Sequence, residues 1–100
     1  MPSYQIIFHR LAAQEYRSAK QWYRQRSIEV ASRFALAVDQ SINRITADAN
    51  SLPVLTGSYR YSRVHRFPYV LIFRFVDSKV VMVMAVAHTS RRPGYWKRRT

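Results

Sequence analysis

The stretch His88-Thr89-Ser90-Arg91-Arg92-Pro93-Gly94-Tyr95-Trp96-Lys97-Arg98-Arg99 holds a histidine, five cationic side chains and two large aromatics. Those residue types suit polyanion chemistry. Guanidinium forks match phosphate oxygens two at a time, and aromatic faces stack on unpaired bases. They also permit metal-free attack of a ribose 2′-hydroxyl on the adjacent phosphate. That reaction needs a base, an acid and cations on the developing negative charge. A histidine serves as either acid or base near neutral pH, so His88 is the candidate. Arg66, Arg91 and Arg92 are candidates to hold the phosphate, and Tyr95 to donate a proton or stack. Arg92, Trp96, Lys97 and Arg98 are candidates for binding a nucleic acid or other target. The plainer alternatives are a solubilising terminus and, for His88, a packing residue at a strand end.

A second basic group is Arg60, Arg63 and Arg66. On a continuous strand Arg60 and Arg66 share one face and Arg63 points to the other. These residues bind a target or, equally, charge an edge strand against aggregation. Other chemistries find no support. Cysteine is absent, and His9, His65 and His88 lack metal-ligand spacing, so no metal site is expected. Gly57 and Gly94 are the only glycines, too few for a phosphate-cradling loop. The five acids are scattered, and no nucleophile motif is present. No cofactor is expected.

The elements that position these residues follow from periodicity. Tyr4 to Phe8 reads as a short strand. Ala12, Tyr16, Ala19 and Tyr23 then recur at helical spacing, with Arg10, Arg17 and Arg24 on a solvated face. This predicts a helix over 9–26. Ser27 is a good N-cap, with Glu29 in the first turn behind it. Ile28, Ala31, Ala35, Val38, Ile42, Ile45 and Ala49 form the inner stripe of a second helix. The break between the helices is short, which predicts an antiparallel hairpin. Residues 50–57 read as a loop punctuated by Pro53 and Gly57. Residues 58–66 alternate as a half-exposed strand that ends at Phe67-Pro68. Apolar runs 69–76 and 79–87 flank Asp77-Ser78 and predict a hairpin.

Both faces of those two strands are apolar. Tyr69, Leu71, Phe73 and Phe75 lie on one side, Val70 and Ile72 on the other, and 80–87 repeat the pattern. A sheet with one wet face alternates apolar and polar residues instead. The helical hairpin covers one face only. The C-terminal segment, a second copy or another protein could cover the other. With little chain left to do so, the expectation is that it is bare in the isolated chain, with a negatively charged companion to cover it.

One hundred residues make one domain, 1–100, with 48% hydrophobic residues and enough surface to bury for one core. Seventeen Lys+Arg against five Asp+Glu give a net charge of +12, which points to a polyanionic or acidic partner. Met1-Pro2-Ser3-Tyr4-Gln5 has no basic segment leading into an apolar run, so no secretory signal is expected. The apolar run from Val80 to Ala87 is far below the roughly 20 residues of a membrane-crossing helix. The fold class is therefore α+β. An N-terminal strand and antiparallel helical hairpin pack on a three- to four-stranded antiparallel sheet, followed by a short basic C-terminal segment.

With Phe67-Pro68-Tyr69 leading into Leu71-Ile72-Phe73, and Ala85-Val86-Ala87-His88 followed by Arg91, Pro93, Tyr95 and Trp96, the chain resembles the RelE/ParE superfamily of toxins from bacterial type II toxin–antitoxin modules. The likeness spans nearly the whole length. It implies a cytoplasmic toxin that inhibits growth and is neutralised by a small cognate acidic antitoxin wrapped around it. It also implies one of two targets. RelE-like members cleave mRNA in the ribosomal A site, whereas ParE-like members poison DNA gyrase and are not nucleases. His88 falls where some nuclease members place a catalytic histidine, and Tyr95 is similar to the tyrosine others use near their end. Many nuclease members carry an arginine early in the penultimate strand, about where this chain has Val70. Whether the chain is an enzyme is therefore left open. The alternative from another class is a non-toxic basic module that binds nucleic acid.

Overall fold

A computed structural model describes residues 3–100; Met1 and Pro2, part of the segment read as lacking a secretory signal, lie outside it. The chain runs β1 (Gln5–Phe8), α1 (Arg10–Arg24), α2 (Ile28–Asp48), β2 (Val54–Thr56), β3 (Tyr59–Val64), β4 (Tyr69–Phe75) and β5 (Val80–His88), then a short 3-10 turn, Tyr95–Arg98. The strands form one sheet in the order β1-β5-β4-β3-β2.

The helices start where capping chemistry permits. The Leu11 N–H donates to Nδ1 of His9 (3.0 Å), and the Val30 N–H donates to the Ser27 hydroxyl (3.2 Å). Each bond satisfies a backbone donor that the first helical turn leaves free. Ala12 and Ala19 of α1 are buried, and Tyr16 and Tyr23 pack against the core beside them. The inner face of α2 is rotated from the expected stripe. Phe34, Ala37 and Ser41 are buried with Ala31, Val38 and Ile45, whereas Ile28 is 68% exposed. Ile28 is the first residue of the helix. Phe34 is the hub, its ring 5.1 Å from Tyr23, 5.2 Å from Phe67 and 5.3 Å from Tyr69. Burying such a side chain stabilises the fold by roughly 1.5–3 kcal/mol. The Ser41 hydroxyl donates to that of Ser62 at 2.7 Å, tying α2 to β3 inside the core.

The sheet departs from the expected one in two ways. It has five strands, because β1 pairs in parallel with β5 and Val54–Thr56 pairs with β3. Pro53 and Gly57 flank β2 and leave it three residues, with an irregular register, too short for an alternation to be visible. A bulge interrupts the β4–β5 ladder: Ile72 opposes Ala85 and Phe73 opposes Val83, so Met84 is the extra residue. Val81, Val83 and Val86 consequently face the helices, whereas Met84, Ala85 and Ala87 face away.

The outer face of the hairpin is not bare. Ile72, Met84, Ala85 and Ala87 are at most 4% exposed because Trp96 closes over them, with Tyr95, Tyr59 and Tyr61 at its margins. This overturns the expectation that an outside companion must sheath that face. Gly94, at φ 80, provides the left-handed turn that brings Tyr95–Arg98 back across the sheet. A dozen residues suffice because one indole covers the small side chains of β5. His9 anchors the far end: with Nδ1 accepting from Leu11, its Nε2–H donates to the carbonyl oxygen of Thr100 (3.1 Å).

Candidate functional site

Glu15 lies three residues after Ala12 and four before Ala19, so α1 turns it toward the core. β1 pairs β5 only as far as Val83, and beyond that point β5 has no strand on that side. Glu15 and Arg99 take the vacant backbone groups. The Val86 N–H donates to Glu15 Oε1 (3.0 Å), and Arg99 Nη1 donates to the Met84 carbonyl (2.8 Å). Arg99 also donates through Nη1 and Nη2 to the two Glu15 oxygens at 2.9 and 2.8 Å. Tyr95 donates its hydroxyl to Glu15 Oε2 at 2.7 Å. Arg91 lies across the Tyr95 ring, 3.9 Å from its centroid, and 3.8 Å from Glu15 Oε2.

This carboxylate thus joins α1, β5 and the C-terminal segment. Burial pushes the Glu15 carboxyl up, but the bonds from Arg99, Tyr95 and Val86 and the charge of Arg99 outweigh it, and the net shift is downward. Burial and the bond to Glu15 together drive the Tyr95 phenol well above its ordinary range. The bond to Glu15 in turn raises Arg99 further.

Beside this network lies an open cleft of about 820 Å³ between α1 and the ends of β4 and β5. Leu11, Trp22, Tyr23 and Tyr69 supply its apolar walls, and Glu15, His88, Arg91 and Arg99 its polar ones. His88 packs edge-on against Tyr69, with ring centroids 5.1 Å apart. Its Nδ1 accepts from the Ser90 N–H at 3.1 Å, which places the proton on Nε2 and leaves that nitrogen to meet a ligand. Burial and the nearby Glu15 charge raise the Tyr69 phenol.

The residues singled out from the sequence separate into several places. His88 and Arg91 share the cleft. Tyr95 is joined to it through Glu15, with its hydroxyl already committed. Arg66 is elsewhere. It follows the end of β3, so strand alternation does not reach it, and it lines a different hollow together with Arg63, Val70 and Thr89. The expectation that Arg60 and Arg66 share a strand face with Arg63 opposite is corrected accordingly. Arg60 is half-buried and donates to the Leu52 carbonyl. Arg63, Arg92, Lys97 and Arg98 are exposed. Trp96 is 5% exposed and packed edge-on to Tyr59, so in this arrangement it is a core residue with no face open for stacking on a base. Its Nε1–H has no partner within the described residues.

Glu15 and Arg99, the centre of the arrangement, were not among the candidates. A signal for Glu15 was present: it is the one acid of α1 and it occupies the inner face. Nothing in the spacing of Arg99, 84 residues away, announces its partner. Among the described residues no three His, Cys, Asp or Glu side chains gather as metal ligands, and no helix is long and apolar enough to cross a membrane.

A helical hairpin on a mixed sheet, strapped by a cationic C-terminal segment beside a half-apolar cleft, defines a small basic α+β domain. Residues 6–93 match the family model described as the ParE toxin of the type II toxin–antitoxin system, parDE. The chain belongs to that family of toxins. Among solved structures it is similar to the chromosomal ParDE TA system from P. aeruginosa, with a TM-score of 0.71 and 19% identity over 86% of this chain and 96% of that one. At that identity the likeness speaks for the fold. No curated protein matches the chain.

Proposed function

We propose that this chain is the toxin of a type II toxin–antitoxin pair that acts in the cytoplasm on DNA gyrase and is neutralised by a cognate acidic antitoxin. The observation that carries the choice of target is the state of Tyr95 and Arg66. A nuclease needs its acid, base and phosphate cations around one point. Here the Tyr95 hydroxyl is spent on Glu15, and Arg66 lies in a hollow separate from His88 and Arg91. What the cleft offers is a binding surface: aromatic and aliphatic walls with a cationic rim. An amphipathic antitoxin segment, apolar on one side and acidic on the other, suits both features and offsets the net charge of +12.

The test is a supercoiling assay with purified gyrase, combined with mapping of mRNA ends after induction. Inhibited supercoiling with intact transcripts supports the proposal; codon-positioned cuts with gyrase unaffected would refute it. A second reading, ribosome-dependent mRNA cleavage, draws on one observation: His88 and Arg91 line the same cleft. A non-toxic module that binds nucleic acid is the third. It requires that expression without the antitoxin leave growth unchanged.

A further inference from the structure

The cleft leaves most of the cationic surface unused. The two ion pairs among the described residues both involve Glu15. At the β3–β4 end, next to the cleft and meeting it at Tyr69, two adjoining hollows of about 460 and 470 Å³ share Tyr61, Arg63 and His65 as a common wall. Arg44 lines the first, and Arg66 and Thr89 line the second. No Asp or Glu lines either one. Four basic side chains thus border a continuous depression with no acid to balance them.

The turn that carries His65 and Arg66 is held in a costly shape. Phe67 N–H donates to the Val64 carbonyl (3.1 Å), closing a tight turn, and Arg66 sits in it at φ 69. It is the one non-glycine residue with positive φ among the described residues. Glycine or asparagine fits that position without strain. Strained backbone of this kind concentrates at sites of function. Arg66 Nε donates to His65 Nε2 (3.3 Å), which orients the guanidinium and leaves both terminal nitrogens free. Arg44 Nη2 donates to the Arg63 carbonyl, fastening the same strand end to α2.

We propose that Arg44, Arg63, His65 and Arg66 form a second binding site, for the phosphate backbone of duplex DNA. The inference rests on the gyrase reading, because that target delivers a duplex to the toxin. The site reads no sequence: exposed guanidinium groups that meet phosphate oxygens fix position and carry no base information. It gives the toxin a hold on the substrate of its target, beside the cleft rather than within it.

Fluorescence anisotropy with the full chain and a short labelled duplex, titrated with salt, tests this without gyrase. Arg63→Gln and Arg66→Gln are each expected to lower the slope of log affinity against log salt by roughly 0.9, the share of one phosphate contact. Arg17→Gln, on the exposed face of α1, is the charge-matched control and leaves the slope as it was. Arg66→Gly separates function from fold: it relieves the backbone, so the melting temperature holds or rises while affinity falls. Equal losses in all variants, no loss in any, a lower melting temperature for Arg66→Gly, or preference for single-stranded RNA of the same length would each overturn the site. Supercoiling by gyrase is measured separately with the unaltered chain. A toxin that spares gyrase yet loses its duplex at these residues refutes the target and keeps the site. A toxin that inhibits gyrase while binding duplex evenly does the reverse.

Discussion

Arg99 lays both terminal nitrogens of its guanidinium on the Glu15 carboxylate, at 2.9 and 2.8 Å, across 84 residues of chain. The Arg99 side chain is 11% exposed and that of Glu15 16%. Planar, two-point pairing of this kind is the strong form of the charge-assisted hydrogen bond. It joins the first helix to the end of the chain, and with it the strap that carries Trp96.

Breaking the pair from one side leaves a charge in poor solvent. Glu15→Ala strands Arg99 and also frees the Val86 N–H and the Tyr95 hydroxyl. A loss of about 3–5 kcal/mol is expected, as for other buried pairs cut on one side. In a domain of this size, each kcal/mol lowers the melting temperature by about 4–8 °C. Thermal melts of Glu15→Ala, Arg99→Ala and the double variant measure the coupling. Single losses that simply add would show that the residues do not act together.

Acid should loosen the same strap. The Glu15 carboxyl is held below its unfolded value, so its contribution is present above the unfolded pKa and is lost as pH falls through the folded one. The melting temperature is therefore expected to fall on acidification below the ordinary carboxylate range. In Glu15→Gln that part of the fall should be missing. A parallel pH profile for the two proteins would place the titration elsewhere.

Trp96 separates packing from hydrogen bonding. Its ring closes the outer face of the sheet, yet its Nε1–H finds no partner. Trp96→Ala is expected to cost about 3–5 kcal/mol. Trp96→Phe retains most of the apolar area and removes the unpaired donor, so it should cost far less. Chemical denaturation of both variants checks the order. Fluorescence quenching adds a second view, because Trp22 is 52% exposed and Trp96 is 5% exposed. Equal access of quencher to both indoles would mean that the strap is open in solution.

His88 and Arg91 line the cleft without holding the core. His88→Ala and Arg91→Ala are expected to lower toxicity in a growth assay while the thermal melt changes little. Arg91 supports this best, since its side chain is 53% exposed and 3.8 Å from Glu15, a geometry that contributes at most about 1 kcal/mol. Full toxicity in both variants would remove the cleft from the mechanism.

The Ser41–Ser62 bond gives an internal check on the core. Ser41→Ala leaves the Ser62 hydroxyl buried without its partner, at a cost of about 1–3 kcal/mol. Replacing both serines by alanine should recover much of that loss. A double variant weaker than either single one would indicate a void rather than an unpaired group.

Local pattern was enough for the elements other than β2, which is only three residues long. Side-chain period is a property of a few neighbouring residues, and Ala12, Ala19, Ala31, Val38 and Ile45 face inward as their spacing requires. The Ser27 cap, the helical hairpin, the C-terminal strands and the basic C-terminal segment are local in the same sense. Placement was not. That β1 runs parallel to β5, that a bulge at Met84 turns Val86 to the helices, and that Trp96 folds back over Met84 and Ala85 all depend on which distant surfaces meet. The apolar outer face was legible, but the choice among its possible occupants was not, because an indole that roofs a sheet and one that stacks on a base look alike in one dimension. The same holds for the site. His88 and Arg91 were visible as types, whereas Glu15 became its centre only when the end of β1 left two backbone groups of β5 for a carboxylate and a guanidinium to claim. Unmet hydrogen bonds exist only in three dimensions, and here they decided which charged residues are structural and which remain free to bind.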